Sequence, residues 1–208
     1  SSTLVYVAEN KTLVGIISLA DEIKDDADET ISLLHENHLK TVMITGDNAR
    51  VAEKIARQAG IVDFVANVLP EQKAQQVEKW RKKGKIVAFV GDGVNDAPAL
   101  ATADVGISAF GGTDVAADSS GIILMRDDTQ SIAQSILLSK KIMRIIKQNL
   151  FWAFIYNIIG IPIAAGVWFA FGGPTLTPMF AGLAMAFSSV CVVLNSLRLS
   201  AYNRKKSV

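Results

Sequence analysis

A single cysteine in 208 residues leaves no disulfide framework to hold the chain together. From Gln148 to Leu197 there is no Asp, Glu, Lys, Arg or His, and from residue 140 onward there is no acid. Neither an internal repeat nor a low-complexity stretch is present. Ser1-Ser2-Thr3 carries no charged n-region, so no signal peptide is expected. The chain has no initiator Met, which leads us to expect a piece of a longer protein. Half of the residues are hydrophobic, which excludes intrinsic disorder. The mean hydropathy of +0.31 is high for a water-soluble domain. A net charge of +1 hides a segregation, because all 20 acids lie in residues 1–139 and eight bases, unopposed, lie in 140–208. Those bases flank an apolar block and form no face interleaved with aromatics, so no nucleic-acid partner is expected.

The charge-free block is long enough for two bilayer spans of roughly 20 residues each. Gly172-Gly173-Pro174-Thr175 breaks it in the middle as a turn signal. We expect a membrane domain over 140–208, with spans at about 150–171 and 178–199. Basic residues precede the first span and follow the second, which puts both ends in the cytoplasm and the hairpin tip outside. The tail Arg204-Lys205-Lys206 suits anionic membrane lipid. A helical hairpin buried in a soluble protein is the plainer alternative, but such core helices are shorter.

Residues 1–139 read differently. Short apolar, β-branched runs fall at 4–7, 13–19, 41–45, 64–66, 86–90, 105–107 and 122–124. Helical patterns fall between them, near 25–37, 49–58, 71–82 and 114–118. Such alternation predicts an α/β domain with a parallel sheet covered by helices. The first two runs, joined by Glu9-Asn10-Lys11, predict an antiparallel hairpin instead. The acids Asp25, Asp26, Asp28 and Glu29 suit the first turn of the helix they open. His35 and His38 fall on a charged helix and are expected in solvent. A last helix from about Thr129 should run through Lys140 and Arg144 into the first span, coupling the two parts mechanically.

Two loops follow predicted strands at the carboxyl ends, where open α/β sheets bind ligands. The first is Thr45-Gly46-Asp47-Asn48, and the second runs from Gly91 through Asp92, Gly93, Asn95 and Asp96 to Leu100. Glycines on both sides of Asp92 let the backbone turn tightly and come close to a ligand. Two carboxylates four residues apart offer hard oxygens suited to Mg²⁺. The Thr45 hydroxyl and neighbouring N–H groups can hold a phosphoryl oxygen, and Lys73, just after Leu69-Pro70-Glu71, can supply a positive charge. Together these meet the needs of phosphoryl transfer, charge neutralisation and positioning. Taken singly they are weaker. Thr-Gly-Asp also makes a capping turn, a helix lysine is ordinarily solvated, and Asp92 and Asp96 could cap a helix opening at Ala97-Pro98.

The ordered string Gly91-Asp92-Gly93-Val94-Asn95-Asp96-Ala97-Pro98-Ala99-Leu100 resembles the hinge motif of P-type ATPases, within the haloacid dehalogenase superfamily. Thr45-Gly46-Asp47, Pro70 and Lys73 are similar to that family's other phosphorylation-domain motifs, in the same order. The resemblance covers essentially the whole chain. It implies a Rossmann-like phosphorylation domain, incomplete here and occupying residues 1–139, followed by a transmembrane helical hairpin. It implies that Thr45 and Gly46, with Asp47, hold the phosphoryl group and that Lys73 neutralises it. Asp92 would ligate Mg²⁺, with Asn95 and Asp96 supporting that site. The family's nucleophilic Asp-Lys-Thr-Gly-Thr motif is missing, and Asp21, in Leu19-Ala20-Asp21-Glu22-Ile23, does not match it. The nucleotide-binding domain and the Thr-Gly-Glu loop are missing too. This chain alone is therefore expected not to hydrolyse ATP, and its partners would be the rest of the same pump.

In the apolar block Tyr156-Asn157 precedes Pro162, and Met185, Ser188 and Ser189 share one helical face. At roughly 1.5 Å per residue, Tyr156 and Asn157 lie about 10 Å deep, Ser189 about 14 Å and Met185 about 20 Å. A thioether prefers Cu(I), and no carboxylate in the block suits a hard cation. Small-residue packing, through Gly160 with Ala164 and Gly182 with Ala186, accounts for the same segments without any ion. Cys191 points away from the Met185 direction and reads as a packed thiol. Tyr156-Asn157 and Met185-x-x-Ser188-Ser189 resemble the last two spans of Cu(I)-transporting heavy-metal P-type ATPases. That resemblance implies ATP-driven Cu⁺ export through an aspartyl-phosphate, an integral protein of the cell membrane, and a soluble copper chaperone as partner. A pump for Ag, Zn or Cd, a membrane-anchored phosphatase and a decayed, non-catalytic relative are the alternatives. The phosphatase would need its own nucleophilic Asp.

Overall fold

The computed structural model describes residues 3–10, 12–19, 22–173 and 178–204. Side-chain surroundings are described for 6–10, 12–17, 22–167, 169–173, 182 and 186–199. Asp21, Lys205 and Lys206 lie outside the described residues. The chain divides into two compact units, Ser1–Ser135 and Ile136–Val208.

The first unit opens with β1 (Thr3–Glu9) and β2 (Thr12–Leu19), an antiparallel pair whose register shifts at Val7/Ala8. Tyr6, Leu13, Val14, Ile16 and Ile17 on this hairpin are all more than half exposed. Next come α1 (Ala27–Glu36), β3 (Val42–Ile44), α2 (Ala49–Gln58), β4 (Asp63–Val65) and α3 (Pro70–Lys82). They are followed by β5 (Ala88–Gly91), a 3₁₀ turn (Val94–Asp96) and α4 (Ala97–Thr102). Finally β6 (Val105–Ser108), α5 (Asp114–Asp118) and β7 (Ile122–Ile123) complete the alternation. The α/β reading therefore holds, strand by strand, to within two or three residues at each end.

The parallel sheet is in two pieces. β3 pairs with β4, and β5, β6 and β7 pair in that order, all parallel. Among the described residues no pairing joins β3 to β5. Parallel strands are ordinarily buried on both faces. Here β3 is only half-buried along its length, and Val90 of β5 is 38% exposed. Each piece thus ends in an open edge. The core lies between helices and strands: Ala52, Val77, Ala99, Ile107 and Ala116 have no exposed surface. Asp104 fastens α3 to the start of β5. Its carboxylate accepts from the Val87 N–H at 2.9 Å and from Arg81 Nε at 3.0 Å, which hold its pKa below the ordinary carboxylate value.

His35 is not simply solvated. Its Nε2 lies 2.8 Å from Thr41 Oγ1, across the turn that closes α1. His38 sits in that turn with φ 61°, and the Leu39 N–H returns to the Leu34 carbonyl at 3.0 Å.

The long α6 (Gln130–Ala164) is continuous through Lys140, Arg144 and Lys147, as expected. It then stops short. Pro162 removes one backbone donor near the end, and Gly166, at φ 89°, turns the chain out of the helix. The short α7 (Val167–Ala170) follows, and then α8 (Pro178–Arg204). From Gln148 to Ala164 the charge-free part of α6 is roughly 17 residues, or about 25 Å at helical rise. The hydrocarbon layer is about 30 Å. Among the described residues no helix is long and apolar enough to cross a membrane. The helix break thus falls at Ala165-Gly166, ahead of the turn signal at Gly172. Within this second unit α6 and α8 meet through amides. Asn195 Nδ2 donates to Asn149 Oδ1 at 2.8 Å, and Asn149 Nδ2 to Ser196 Oγ at 2.9 Å. Among the described residues, a Cβ built on Gly160 or Gly182 would meet nothing within 4 Å.

Candidate functional site

The site begins at the two strand ends. Thr45 and Asp47 follow β3 and bond each other: Thr45 Oγ1 donates to Asp47 Oδ2 at 2.7 Å, and the Asp47 N–H donates to Thr45 Oγ1 at 3.1 Å. The capping function belongs to Asn48, whose side chain accepts from the Val51 N–H at 3.1 Å to open α2. Thr45 is half-buried, and Gly46 and Asp47 are exposed. The loop after β4 is laced onto this turn. Val68 donates to the Thr45 carbonyl at 3.0 Å and Asn67 to the Asp47 carbonyl at 2.8 Å. Asn67 takes a positive φ of 55° to do so. That loop leads into α3, with Pro70 in the first turn and the Gln72 side chain accepting from the Leu69 N–H at 3.1 Å.

Lys73 therefore leaves α3 beside the Thr45 turn, and its ammonium ends on the second loop. Lys73 Nζ donates to Asp96 Oδ1 at 2.7 Å. Both side chains are largely buried, at 19% and 11% exposure. The lysine is thus not a solvated helix residue. Asp96 stands where a cap would stand for α4, yet its side chain makes no cap bond and takes Lys73 instead. The plainer alternative, in which Asp96 only caps this helix, is not what the side chain does.

Asp92 is exposed, and its carboxylate has no hydrogen-bond partner among the described residues. Its backbone is held: the Thr113 N–H donates to the Asp92 carbonyl at 2.9 Å, and the Ala109 N–H to the Gly91 carbonyl at 2.9 Å. Asn95 is exposed beside it. The flanking glycines have unequal reasons to be there. A Cβ on Gly91 would fall 2.6 Å from the Asp96 Cβ, so the space is already filled. Gly93 has φ −112° and open surroundings, and it needs neither special φ nor special space.

The sequence reading passed over the loop after β6. Gly111-Gly112-Thr113-Asp114 follows a strand end just as the other two loops do, and that glycine pair was the available signal. This loop wraps the Asp92 backbone through Thr113. Ser108, paired with Gly91 across the strands, is 1% exposed, and its hydroxyl has no partner among the described residues. Removing an unpartnered buried hydroxyl costs no bond, so Ser108→Ala should stabilise the chain by about 1 kcal/mol. A lower denaturant midpoint for the variant would contradict this.

No group of three or more metal-ligating His, Cys, Asp or Glu side chains occurs among the described residues. The loop offers instead one free carboxylate, Asp92, next to a second that is already neutralised. Mg²⁺ suits such a place, because it takes one or two carboxylates and completes its shell with water and phosphate oxygens.

In the second unit Tyr156 is half-buried, with its hydroxyl 3.8 Å from Cys191 Sγ and its ring beside Trp152. Asn157 is exposed and donates back to the Ala153 carbonyl of its own helix at 3.1 Å. Ser188 is half-buried and Ser189 exposed. Met185 falls in α8, with its side chain outside the described ones. The described contacts bring Tyr156 to Cys191, a pairing that helix geometry within α8 alone could not give.

Residues 2–104 match the family model described as haloacid dehalogenase-like hydrolase. The chain is 51% identical over 199 residues to "Copper-transporting ATPase 2" of Rhizobium meliloti, covering 96% of this chain and 24% of that protein. It is 50% identical over 202 residues to the "Probable copper-exporting P-type ATPase" of Archaeoglobus fulgidus, covering 97% and 25%. Its fold also matches a crystal structure of a zinc-transporting PIB-type ATPase in the E2.Pi state. There the TM-score is 0.79 at 36% identity, covering 95% of this chain and 31% of that one. The chain spans about a quarter of the length of the curated relatives it matches.

Proposed function

Since this chain belongs to the heavy-metal P-type ATPases, we propose that it is part of a pump that exports Cu(I) at the expense of ATP. The Lys73–Asp96 pair beside a free Asp92 carries this reading, because it provides a charge-balanced ion pair at a parallel strand end with one carboxylate left for a cation. Identities near 50% to copper-named relatives, against 36% to the zinc-named structure, favour copper over zinc.

The open edges of β3 and β5 fit a strand supplied from elsewhere in the pump, and that strand would bring the nucleophilic aspartate. Thr45 and Gly46 would then bind the phosphoryl oxygens. Asp47 orients the Thr45 hydroxyl by accepting its proton in a hydrogen bond. Lys73 would lend positive charge while Asp96 holds its ammonium in place, and Asn95 would bond from the loop surface. Asp92, with Asp96 near it, would hold Mg²⁺, which when bound supplies charge neutralisation at the transferring phosphoryl group.

Residues 140–208 would form the membrane part. The apolar half of α6 continued by α7, and then α8, would cross the bilayer with both ends cytoplasmic and Arg198 and Arg204 at the lipid headgroups. Tyr156, Asn157, Met185, Ser188 and Ser189 would line the Cu(I) path, and a cytoplasmic copper chaperone would deliver the ion. The decisive experiment measures phosphate release by the intact pump in detergent–lipid with Cu(I), Ag(I), Zn(II) or no metal. Cu(I) and Ag(I) should stimulate it, and Met185→Ala should weaken Cu(I) binding while leaving the fold intact. Stimulation by Zn(II) alone, indifferent to Met185, would overturn the copper reading.

A further inference from the structure

Asp26 occupies the first position before α1, yet its side chain makes no cap bond to that helix. Its carboxylate reaches residues more than a hundred positions away. Asp26 Oδ2 accepts from the Thr129 N–H at 2.6 Å and from the Gln130 N–H at 2.9 Å. These are the leading donors of α6, which no turn of that helix can satisfy. A negative charge there also complements the helix dipole. Burial pushes the Asp26 pKa up, but the bonds from Gln130 and Thr129 outweigh it, and the net shift is downward.

Neighbouring bonds follow the same route. Thr129 Oγ1 donates to Thr30 Oγ1 at 3.0 Å, with Thr30 only 3% exposed. Gln130 Nε2 donates to Glu29 Oε2 at 3.0 Å, and Lys24 pairs with Asp127. The start of α6 is thus joined to residues 24–30 by side chains; among the described residues Asp26 is the one of these that bonds its backbone, while the local Asp128 accepts from the Ser131 N–H at 2.7 Å. The same helix runs on without interruption to Ala164.

We propose that Asp26 is a positioning residue that latches the first turn of α6 to α1, so that motion of the α/β unit is transmitted along α6. The latch stands on the hydrogen bonds alone, whereas the transmission rests on the pump reading above. The acids at 25–29 therefore do more than open α1: Asp26 and Glu29 both reach the start of α6.

The test uses the intact pump carrying Asp26→Ala or Asp26→Asn, the latter keeping a side-chain oxygen that can accept. Two quantities are read: hydrogen exchange at Thr129 and Gln130, and Cu(I) moved into vesicles per phosphate released. In Asp26→Ala exchange at both amides should quicken about tenfold, as loss of a capping acceptor implies. Cu(I) moved per phosphate should fall severalfold while phosphoenzyme still forms from ATP. Asp26→Asn should restore most of both. Unchanged exchange in Asp26→Ala would overturn the latch. Faster exchange with an unchanged ratio of Cu(I) to phosphate would overturn the transmission. A wild type without metal-dependent phosphate release would overturn the pump reading, and the exchange data would still decide the latch.

Discussion

In the intact pump, Asp92→Ala is expected to abolish metal-dependent turnover while leaving stability almost untouched. The two halves of that expectation come from different atoms. The Asp92 backbone is held by the Thr113 N–H and by the neighbouring bond from Ala109 to Gly91, neither of which needs the side chain. The side chain is exposed and makes no bond among the described residues, so its removal should shift the denaturant midpoint by no more than about 0.5 kcal/mol. The catalytic loss is another matter. Asp96 cannot take over the cation, because it is largely buried and committed to Lys73 at 2.7 Å. On the proposed role, loss of the metal's charge from the transferring phosphoryl group would remove about 4 kcal/mol or more of transition-state stabilisation, which is about a thousandfold in rate. Phosphoenzyme formation from ATP and steady-state phosphate release measure it. Copper-dependent turnover at the wild-type rate would remove Asp92 from the site. A large loss of stability would mean that its side chain has a structural partner after all.

The alternation of apolar runs and amphipathic stretches was enough to place the strands and helices of the first unit, because local periodicity reports local structure. The same holds for the strand-end loops, whose glycines and carboxylates are contiguous in sequence. What stayed hidden is non-local. Nothing in Asp25-Asp26-Asp28-Glu29 distinguishes the acid that reaches Thr129 from those that face water. The plain reading gave Asp26 to its own helix, and the fold gives it to a distant one. The partner of Asp96 stayed hidden for the same reason, since it arrives from α3, 23 residues earlier. The end of α6 stayed hidden for a subtler reason. Gly172-Gly173-Pro174-Thr175 is the louder turn signal, but a single Gly166 in the left-handed region, four residues past Pro162, is enough to end a helix already short of one bond. The division of the parallel sheet was not legible in the strand pattern at all. Each strand reads as a parallel-sheet strand, and only the pairing shows that β3 and β5 have open edges.

Gly91→Ala should be strongly damaging at this site, through space and not through backbone strain. Gly91 is not among the residues with positive φ, so alanine meets no dihedral penalty there. The added methyl would fall 2.6 Å from the Asp96 Cβ, 2.9 Å from its Cγ and 3.0 Å from its Oδ2. Ordinary carbon contacts need about 3.5 Å or more. Either Asp96 retreats or the end of β5 moves, and β5 is pinned by its pairing with β6, Gly91 opposite Ser108. Asp96 is the softer of the two, and its retreat pulls the carboxylate off Lys73. Overpacking of this kind costs about 1–3 kcal/mol. Separating a largely buried pair adds to it, so a loss of about 2–4 kcal/mol is expected. Gly93→Ala provides the comparison, because its new methyl would have only the Asn95 nitrogen near it, at 3.9 Å. That variant should stay within about 0.5 kcal/mol of the parent chain. Denaturant unfolding of the two variants side by side measures the difference. Equal midpoints would mean that Asp96 does not sit against Gly91, and that the Lys73–Asp96 pair is free to move.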